Sequence, residues 1–511
     1  MNDSPLPITQ RPRLHVVSMP QTETTRQYDF EAFTGKTRKF ATMMTSIGYD
    51  VRLYAGEANE AICTEHIPIV TRAEQKKWFG HYDWSRDVFF QYDSKEEWWR
   101  VMNARAAEEI RKRARPGDIL GLAMGWPQQP IANALKDAGL YEVEIGIGYT
   151  GTVSPFRVYE SYALQHFLAD RAPKDDFRPF DAVIPNFFEI NDFPEGKGDG
   201  GYYLYLGRTT RRKGPQIAAE ACKQIGAKLV VAGQGIVKTN PVTTNEGIVL
   251  EGNVEYVGMA DPVKRAELMG GAKAIFLPTI YLEPFGGVGV EAMICGTPVI
   301  TSDWGAFTET VIDGVTGFRC HTMREYVEAA QRAGELDRKA IRKYAINRFS
   351  TDVVRYQYDR YFQRLALDYP VFLEREEKQK QLELIAKEQK AELEPTPGNY
   401  LDLSLGYYQT KRYRDCIAAA IEALKLKPDF ADAFNNIAAA HLALGESRQA
   451  IAAANDALRI RPDFPLAKNN RDAAITQMAT QPLSKDKPIA VPGKNSENFQ
   501  TGNVRPESAL A

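Results

Sequence analysis

Cysteine is scarce in this chain. Its five cysteines, Cys63, Cys222, Cys295, Cys320 and Cys416, lie far apart and form no C-x-x-C. That excludes a disulfide framework and a zinc ribbon, and it fits a reducing, cytoplasmic setting. No stretch approaches the roughly 18 consecutive apolar residues expected of a membrane span. The N-terminal MNDSPLPITQRPRLHVVSMP has only a brief apolar run between polar flanks, too short and too late for a signal peptide. It reads as a disordered lead into a buried strand. Neither charge is in excess: 64 basic and 66 acidic side chains leave a formal charge of -2, which removes any global electrostatic reason to expect nucleic-acid or membrane binding. What remains is a 511-residue chain, 44% hydrophobic and 25% charged, the composition of a folded protein of about three domains.

From Arg13 to about Asn186 short apolar strands alternate with helices. RLHVVSMP and DVRLYAG flank a helical stretch, Gly35–Gly48. GDILGLAMG then leads to a helix near Pro130–Ala138, followed by EVEIGIGY, a helix near Arg157–Ala169, and FDAVIPNFF. Aromatics crowd the segment from Asp83 to Arg100 and read as packing residues. After a glycine-rich break, Glu195–Tyr202, the alternation resumes with GYYLYLGR, a helix after Lys213, AKLVVAGQG and VEYVG. A helix near Pro262–Met269, KAIFLPT, a helix from about Gly287, and TPVITSD complete it. Strands embedded among helices predict parallel sheets covered on both faces. Two such stretches around a hinge predict an α/β protein with two facing Rossmann-like domains, over 12–196 and 197–350, whose strand ends border one cleft. An aromatic crossover helix over 351–371 caps the pair, and a charged, solvated linker helix follows over 372–394.

A 34-residue period comes next. Pro428 and Pro462 are 34 apart, as are Tyr400 and Phe434, Leu403 and Ile437, Cys416 and Ala450, and Ala423 and Ala457. Aromatic and small residues at that interval predict an all-α module of tetratricopeptide repeats. Two repeats, Pro397–Pro428 and Ala431–Pro462, and a capping helix over Pro465–Ala479 fill residues 397–480. The tail, 481–511, has the composition of a disordered segment.

The chemistry concentrates in Leu282-EPFGGVGVEAMICGTPVITSDWG-Ala306. Glu283 falls in a loop just beyond a buried strand, and Glu291 eight residues later on the next helix. Gly286, Gly287 and Gly289 between them leave room for a ligand at the backbone, where the amides of a helix start carry partial positive charge. Such a site suits a polyhydroxylated anion: amides meet its oxygens and carboxylates accept from its hydroxyls. Helix capping alone would account for Glu283, but for neither the second acid nor the glycines. In Gly207-RTTRRK-Gly214, Arg208 follows a strand and Lys213 precedes a helix, at the same sheet edge. Two cations there can hold a pyrophosphate, while Arg211 and Arg212 read as solvated. Gly233 and Gly235 end the neighbouring strand and shape its turn. Lys36, Arg38 and Lys39 form a basic cluster that reads as solvated, and His15 and His166 read as structural.

G-R-x4-K-G after a strand, then E-P-F-G with a second glutamate eight positions on, then E-A-M-x-C-G-T-P-V-I, resembles the retaining GT-B glycosyltransferases of family four. The likeness covers roughly residues 12–367 and is strongest over 201–320. It implies a first domain on the acceptor side and a second that binds a nucleotide sugar. Glu283, with the amides of Phe285 and Gly286, would hold hydroxyls of the donor sugar, and Glu291 would accept from the ribose hydroxyls. Arg208 and Lys213 would grip the diphosphate and support it as leaving group. Gly35, opening the first helix, would approach the phosphates from the other wall; a plain turn glycine is the competing account. The resemblance also implies no metal or cofactor, and no Asp-x-Asp occurs in the chain. Two departures stand out: Lys36 follows Gly35 where a second glycine is usual, and residues 145–152, IGIGYTGT, hold Tyr149 and Thr150 but no histidine.

These readings converge on a hexosyltransferase moving sugar from a nucleotide diphosphate sugar to an acceptor hydroxyl, on a lipid, glycan, protein or modified nucleic-acid base. A nucleotide-sugar epimerase or glycan phosphorylase of the same fold, or a non-catalytic repeat scaffold, are the alternatives. The repeats could serve a protein partner or self-association.

Overall fold

The computed structural model describes residues 11–29, 31–81, 93–169 and 178–480. The expected lead, most of the aromatic segment and the expected tail therefore lie outside the described residues. The chain divides after Pro370 into two compact units.

The first unit opens with a seven-stranded sheet. Its strands are β1 (Leu14–Val17), β2 (Val51–Gly56), β3 (Glu65–Val70), β4 (Ile119–Leu122), β5 (Tyr141–Ile147), β6 (Phe156–Tyr159) and β7 (Ala182–Val183), in the order β3-β2-β1-β4-β5-β6-β7. All neighbours are parallel, and Leu14 pairs with Val51 on one side and Ile119 on the other. Helices α1 (Ala32–Ser46), α2 (Arg72–Phe79), α3 (Glu97–Arg111), α4 (Gln129–Ala134) and α5 (Tyr162–Ala169) make the crossovers. Side chains of a strand alternate between faces, so Leu14 and Val16 enter the core under α1, while Val17 joins Leu120, Leu122 and α3 on the other face.

The second sheet comprises β8 (Tyr202–Leu206), β9 (Lys228–Ala232), β12 (Val254–Tyr256), β13 (Ile275–Leu277), β14 (Val299–Ser302) and β15 (Gly317–Cys320), with a separate hairpin of β10 (Ile236–Thr239) and β11 (Val242–Thr244). The order is β12-β9-β8-β13-β14-β15. Helices α6 (Pro215–Gln224), α7 (Pro262–Gly271), α8 (Gly287–Ile294), α9 (Phe307–Thr310), α10 (Met323–Arg332) and α11 (Arg338–Phe349) cover it. Both sheets reverse direction of growth at an inner pair, β1/β4 and β8/β13, where loops diverge and leave a crevice beyond the strand ends.

Three expectations change in the first unit and at its end. The expected helix over Arg157–Ala169 is part strand: Phe156–Tyr159 is β6, paired with β5 through Val143 and Phe156, and the helix starts at Tyr162. The boundary at 196/197 also moves. Phe187 lies in the core of the first sheet and Phe188 in that of the second. The glycine-rich break is stitched to the second domain, by Gly196 N to Cys295 O, Gly198 N to Gly270 O and Gly200 N to Gly271 O, each 2.9 Å. The chain recrosses after Phe349, beside Phe188 (Phe188 N to Phe349 O, 2.9 Å), and Val354 and Tyr358 rejoin the first core. Finally, the crossover helix and the charged linker are one helix, α12 (Thr351–Leu393), with Pro370 inside it.

In the second unit, residues 373–383 of α12 are exposed, and Leu384 and Ala391 then pack with Leu403 and Ala419. Helices α13 (Pro397–Gln409), α14 (Tyr413–Leu426), α15 (Ala431–Ala443), α16 (Ser447–Ile460) and α17 (Pro465–Thr480) follow. The starts of α13, α15 and α17 are 34 residues apart, as are those of α14 and α16. The alanines Ala420, Ala423, Ala433, Ala438 and Ala454 have no exposed surface and let the helices approach closely. α17, expected only to cap, buries Ala467 and Ala474, which stand 34 residues after the buried Ala433 and Ala440. It thus repeats the first helix of the preceding pair. Among the described residues no helix is long and apolar enough to cross a membrane.

Candidate active site

A cleft of ≈ 840 Å³ opens between the carboxyl edges of the two sheets. Its second-domain wall holds Arg208, Gly233, Arg265, Glu283, Phe285, Gly286, Gly287 and Glu291; its first-domain wall holds Gly35, Lys36, Lys39 and Glu160. Gly35, Arg208, Gly233, Glu283, Phe285, Gly286, Gly287 and Glu291, all singled out from the sequence, line this cleft, whereas Gly235 and Gly289 do not. Nor does Lys213, but its ammonium sits 2.8 Å from Glu283 Oε2.

The local fold explains that contact. A 3-10 turn, Arg211–Lys213, ends at Gly214, which has φ 77° and precedes Pro215, the first residue of α6. A Cβ on Gly214 would come within 2.1 Å of Pro278 O, so only glycine lets this loop lie against the segment after β13. Ile280 N donates to Arg212 O at 2.8 Å and clamps the two loops together. Tyr281 OH donates to Glu283 Oε2 at 2.6 Å, and Lys213 Nζ lies 5.0 Å from the Tyr281 ring centre. Burial and the adjacent Glu283 push the Tyr281 phenol well above its ordinary pKa, so it stays a donor. Glu283 is therefore held by two donors, with its side chain only 12% exposed.

Beyond Glu283 the chain turns through Gly286, φ 80°, into α8. A Cβ there would stand 2.5 Å from Phe307 Cε1, and the left-handed backbone also requires glycine. The Phe285 ring is buried, stacked on Phe188 and edge-on to Phe349. That anchor fixes the backbone whose first-turn amides an α-helix leaves without intrahelical partners. One turn further along α8, Glu291 meets Arg265 of α7 in an ion pair. Burial raises the Glu291 pKa, opposed by Arg265 and Lys39. Gly233, φ 129°, lets the loop after β9 approach Gly207 O, which a Cβ would meet at 2.2 Å.

The first-domain wall differs from expectation. α1 begins at Ala32, not at Gly35, and Glu31 caps it by accepting from Thr34 N at 2.7 Å. Gly35 N donates to Glu31 O at 2.9 Å, and a Cβ on Gly35 would press on Asp29 O at 3.1 Å. Gly35 thus serves the packing of the Asp29 loop, and its amide is already engaged. Lys36 and Arg38, read as solvated, are buried: Lys36 binds Glu160 and Gly146 O, and Arg38 binds Asp29 and Glu189. Tyr149 donates to the buried Glu144 at 2.8 Å, whose carboxylate also holds Ser154 N at 2.6 Å. Burial raises the Glu144 pKa. His15 is a satisfied core residue, 2.9 Å from Tyr54 OH; His166 is exposed on α5.

The domains also touch beside the site. Ser161 Oγ donates to Pro284 O at 2.6 Å, and Glu309 accepts from Tyr162 N and Ala163 N at 2.9 and 2.7 Å, capping α5 from the other domain. Sequence reading missed Arg265, Lys36 with Glu160, and Glu309. Arg265 alone carried a local signal, lying in the first turn of a helix capped by Asp261.

Two Rossmann-like α/β domains of parallel sheet facing across a cleft, with the chain recrossing into the first domain through α12, constitute the GT-B fold. Over 70% of this chain and 99% of the other, it is similar to the sucrose-phosphate synthase of Thermosynechococcus elongatus, with TM-score 0.51 and 18% identity. Residues 187–348 match the family described as glycosyl transferases group 1. The chain is 34% identical over 122 residues to a glycogen synthase of Mycobacterium tuberculosis, 23% of this chain and 29% of the relative. It is 30% identical over 191 residues to a phosphatidyl-myo-inositol mannosyltransferase of Mycolicibacterium smegmatis, 35% of this chain and 49% of the relative. The chain thus spans between three-tenths and half the length of these curated relatives.

Proposed function

We propose that this protein is a retaining glycosyltransferase that moves a hexose from a nucleotide diphosphate sugar to an acceptor hydroxyl without a metal ion. One observation carries the reading: Glu283, held by Lys213 and Tyr281 at the entry of α8, shares a single cleft with Arg208 and Glu291. The match of residues 187–348 to group 1 glycosyl transferases supports it.

In the proposed reaction Glu283 and the amides of Phe285 and Gly286 bind sugar hydroxyls, and Glu291 accepts from the ribose. The bond from the anomeric carbon to the diphosphate breaks, and the diphosphate leaves with the electron pair. The acceptor oxygen bonds to the same face, and its proton passes to the departing phosphate oxygen. Arg208 stabilises the charge that develops there, in a site where fixed cations need no reorganisation. Lys213, bound to Glu283, supports the diphosphate only on exchanging that partner. The first domain receives the acceptor, and the helical unit serves as a tetratricopeptide-type surface for a protein partner or a second copy.

Glu283→Ala and Lys213→Ala are each expected to lower turnover about a hundredfold or more, roughly 3 kcal/mol, the loss typical of one preorganised group. Nucleoside diphosphate release measured with and without acceptors checks this, and NMR of the product gives the anomer. Parental turnover by Lys213→Ala would remove the diphosphate role, and an inverted product would remove retention.

A further inference from the structure

Helix α1 carries three neighbouring cations, and two of them are fully engaged. Lys36 is bound to Glu160 and Gly146 O. Arg38 reaches both oxygens of Asp29 at 2.9 and 2.8 Å and Glu189 at 2.7 Å. Lys39 differs. Among the described residues no carboxylate stands at ion-pair distance from it, and its ammonium rests 5.0 Å from the centre of the Phe188 ring. The acids that act on it through space are Asp29, Glu291 and Glu189. Each of them already binds an arginine: Asp29 binds Arg38, Glu291 binds Arg265, and Glu189 binds Arg38 and Arg26. Lys39 is half-buried, and burial pushes its pKa down, with Arg38 acting in the same direction.

Its position gives this charge a use. Four residues after Gly35, Lys39 lies on the same face of α1, and both line the cleft. The Phe188 ring beneath its ammonium abuts the start of α8: a Cβ on Gly287 would lie 3.5 Å from Phe188 Cζ. A cation from the first domain thus shares the Phe188 ring with the start of α8, in the cleft that Arg208 also lines. The start of α1 cannot do the same work, because Glu31 places a carboxylate there.

We propose that Lys39 is the first domain's ligand for the donor diphosphate, acting through its side chain where the backbone at Gly35 is already engaged. The inference rests on the nucleotide-sugar reading. It has a consequence of its own: a diphosphate held by Lys39 on one side and by Arg208 and α8 on the other ties the two domains together.

Calorimetric titration of the full chain with uridine, guanosine, adenosine and thymidine diphosphates, and with the matching nucleosides, tests it. For whichever diphosphate the wild type binds, Lys39→Met should weaken affinity about tenfold or more, the range for losing a charge-assisted bond to phosphate. Lys39→Arg should keep most of it, and nucleoside affinity should not change in either variant. Without ligand, Lys39→Met should melt no lower than the wild type, since it removes a half-buried charge with no bound counter-charge. Unchanged diphosphate affinity in Lys39→Met would overturn the inference and leave the donor reading intact. So would equal losses for diphosphate and nucleoside, or a lowered melting point, either of which marks a structural lysine. A wild type that binds none of the four diphosphates would overturn both.

Discussion

Gly286 and Gly287 are neighbours in the same motif with different obligations. Gly286 has φ 80° and a Cβ would strike Phe307, whereas a Cβ on Gly287 meets only Phe188 at an ordinary 3.5 Å. Gly286→Ala is expected to cost about 1–3 kcal/mol, the range for one residue forced into a disfavoured backbone region, and Gly287→Ala much less; denaturant midpoints compare them. Asp181 makes a pH-dependent contribution. Burial, opposed by Arg157 and Arg178, raises its pKa to about 6. A carboxyl raised in the folded state stabilises below its unfolded pKa near 3.8, and that contribution is lost as pH rises through about 6. Asp181→Asn should therefore raise the melting temperature at pH 8 and lose the advantage below pH 4. The positions of Arg208 and Glu283 were legible because each lies in the loop after an apolar strand, at the carboxyl edge of a sheet, and that of Glu291 because it lies on the helix that follows the second loop. The burial of Lys36 and Arg38 was not. Their partners Glu160 and Glu189 come from far along the chain, Glu189 from 151 residues beyond Arg38, and nothing in a local basic run announces them.

Helix α5 takes its N-terminal partners from the other domain. It is eight residues long, with Ser161 bonded to Leu164 N and Pro284 O, and Glu309 receiving its first amides. A carboxylate at a helix N-terminus contributes charge and hydrogen bonds together. Glu309→Ala is expected to cost about 1 kcal/mol of stability, as for loss of a cap, and to raise the donor KM more than it lowers kcat, because Pro284 adjoins Glu283. Steady-state kinetics beside a melting curve separate the two effects. Long periodic helices and apolar strand runs were readable from sequence, but β6 was absorbed into the following helix, since four residues, FRVY, fit either period. The continuity of α12 was hidden by Pro370, which lacks the amide a helix interior uses. The 34-residue spacing survived because small residues at fixed intervals are what close helix packing demands.

For the whole molecule, the alternation of strand and helix was enough to foresee two parallel sheets and a cleft at their carboxyl edges. It could not show where the chain changes domains. That depends on Phe187 and Phe188, adjacent residues whose side chains enter different cores, and the glycine-rich segment that resembled a hinge belongs to one domain. If the helical repeats only recruit a partner, a chain lacking residues 397–480 should hydrolyse the donor at the parental rate; loss of hydrolysis in a folded truncation would contradict that division of labour. If one cleft holds an activated sugar between Arg208, Glu283 and Glu291, that sugar should raise the melting temperature, as any ligand bound only by the native state does; thermal unfolding with uridine, guanosine, adenosine and thymidine diphosphate sugars measures it. At least one should stabilise the wild type and fail to stabilise Arg208→Ala and Glu291→Ala. A wild type unmoved by all four, or variants stabilised as much as the wild type, would contradict that binding.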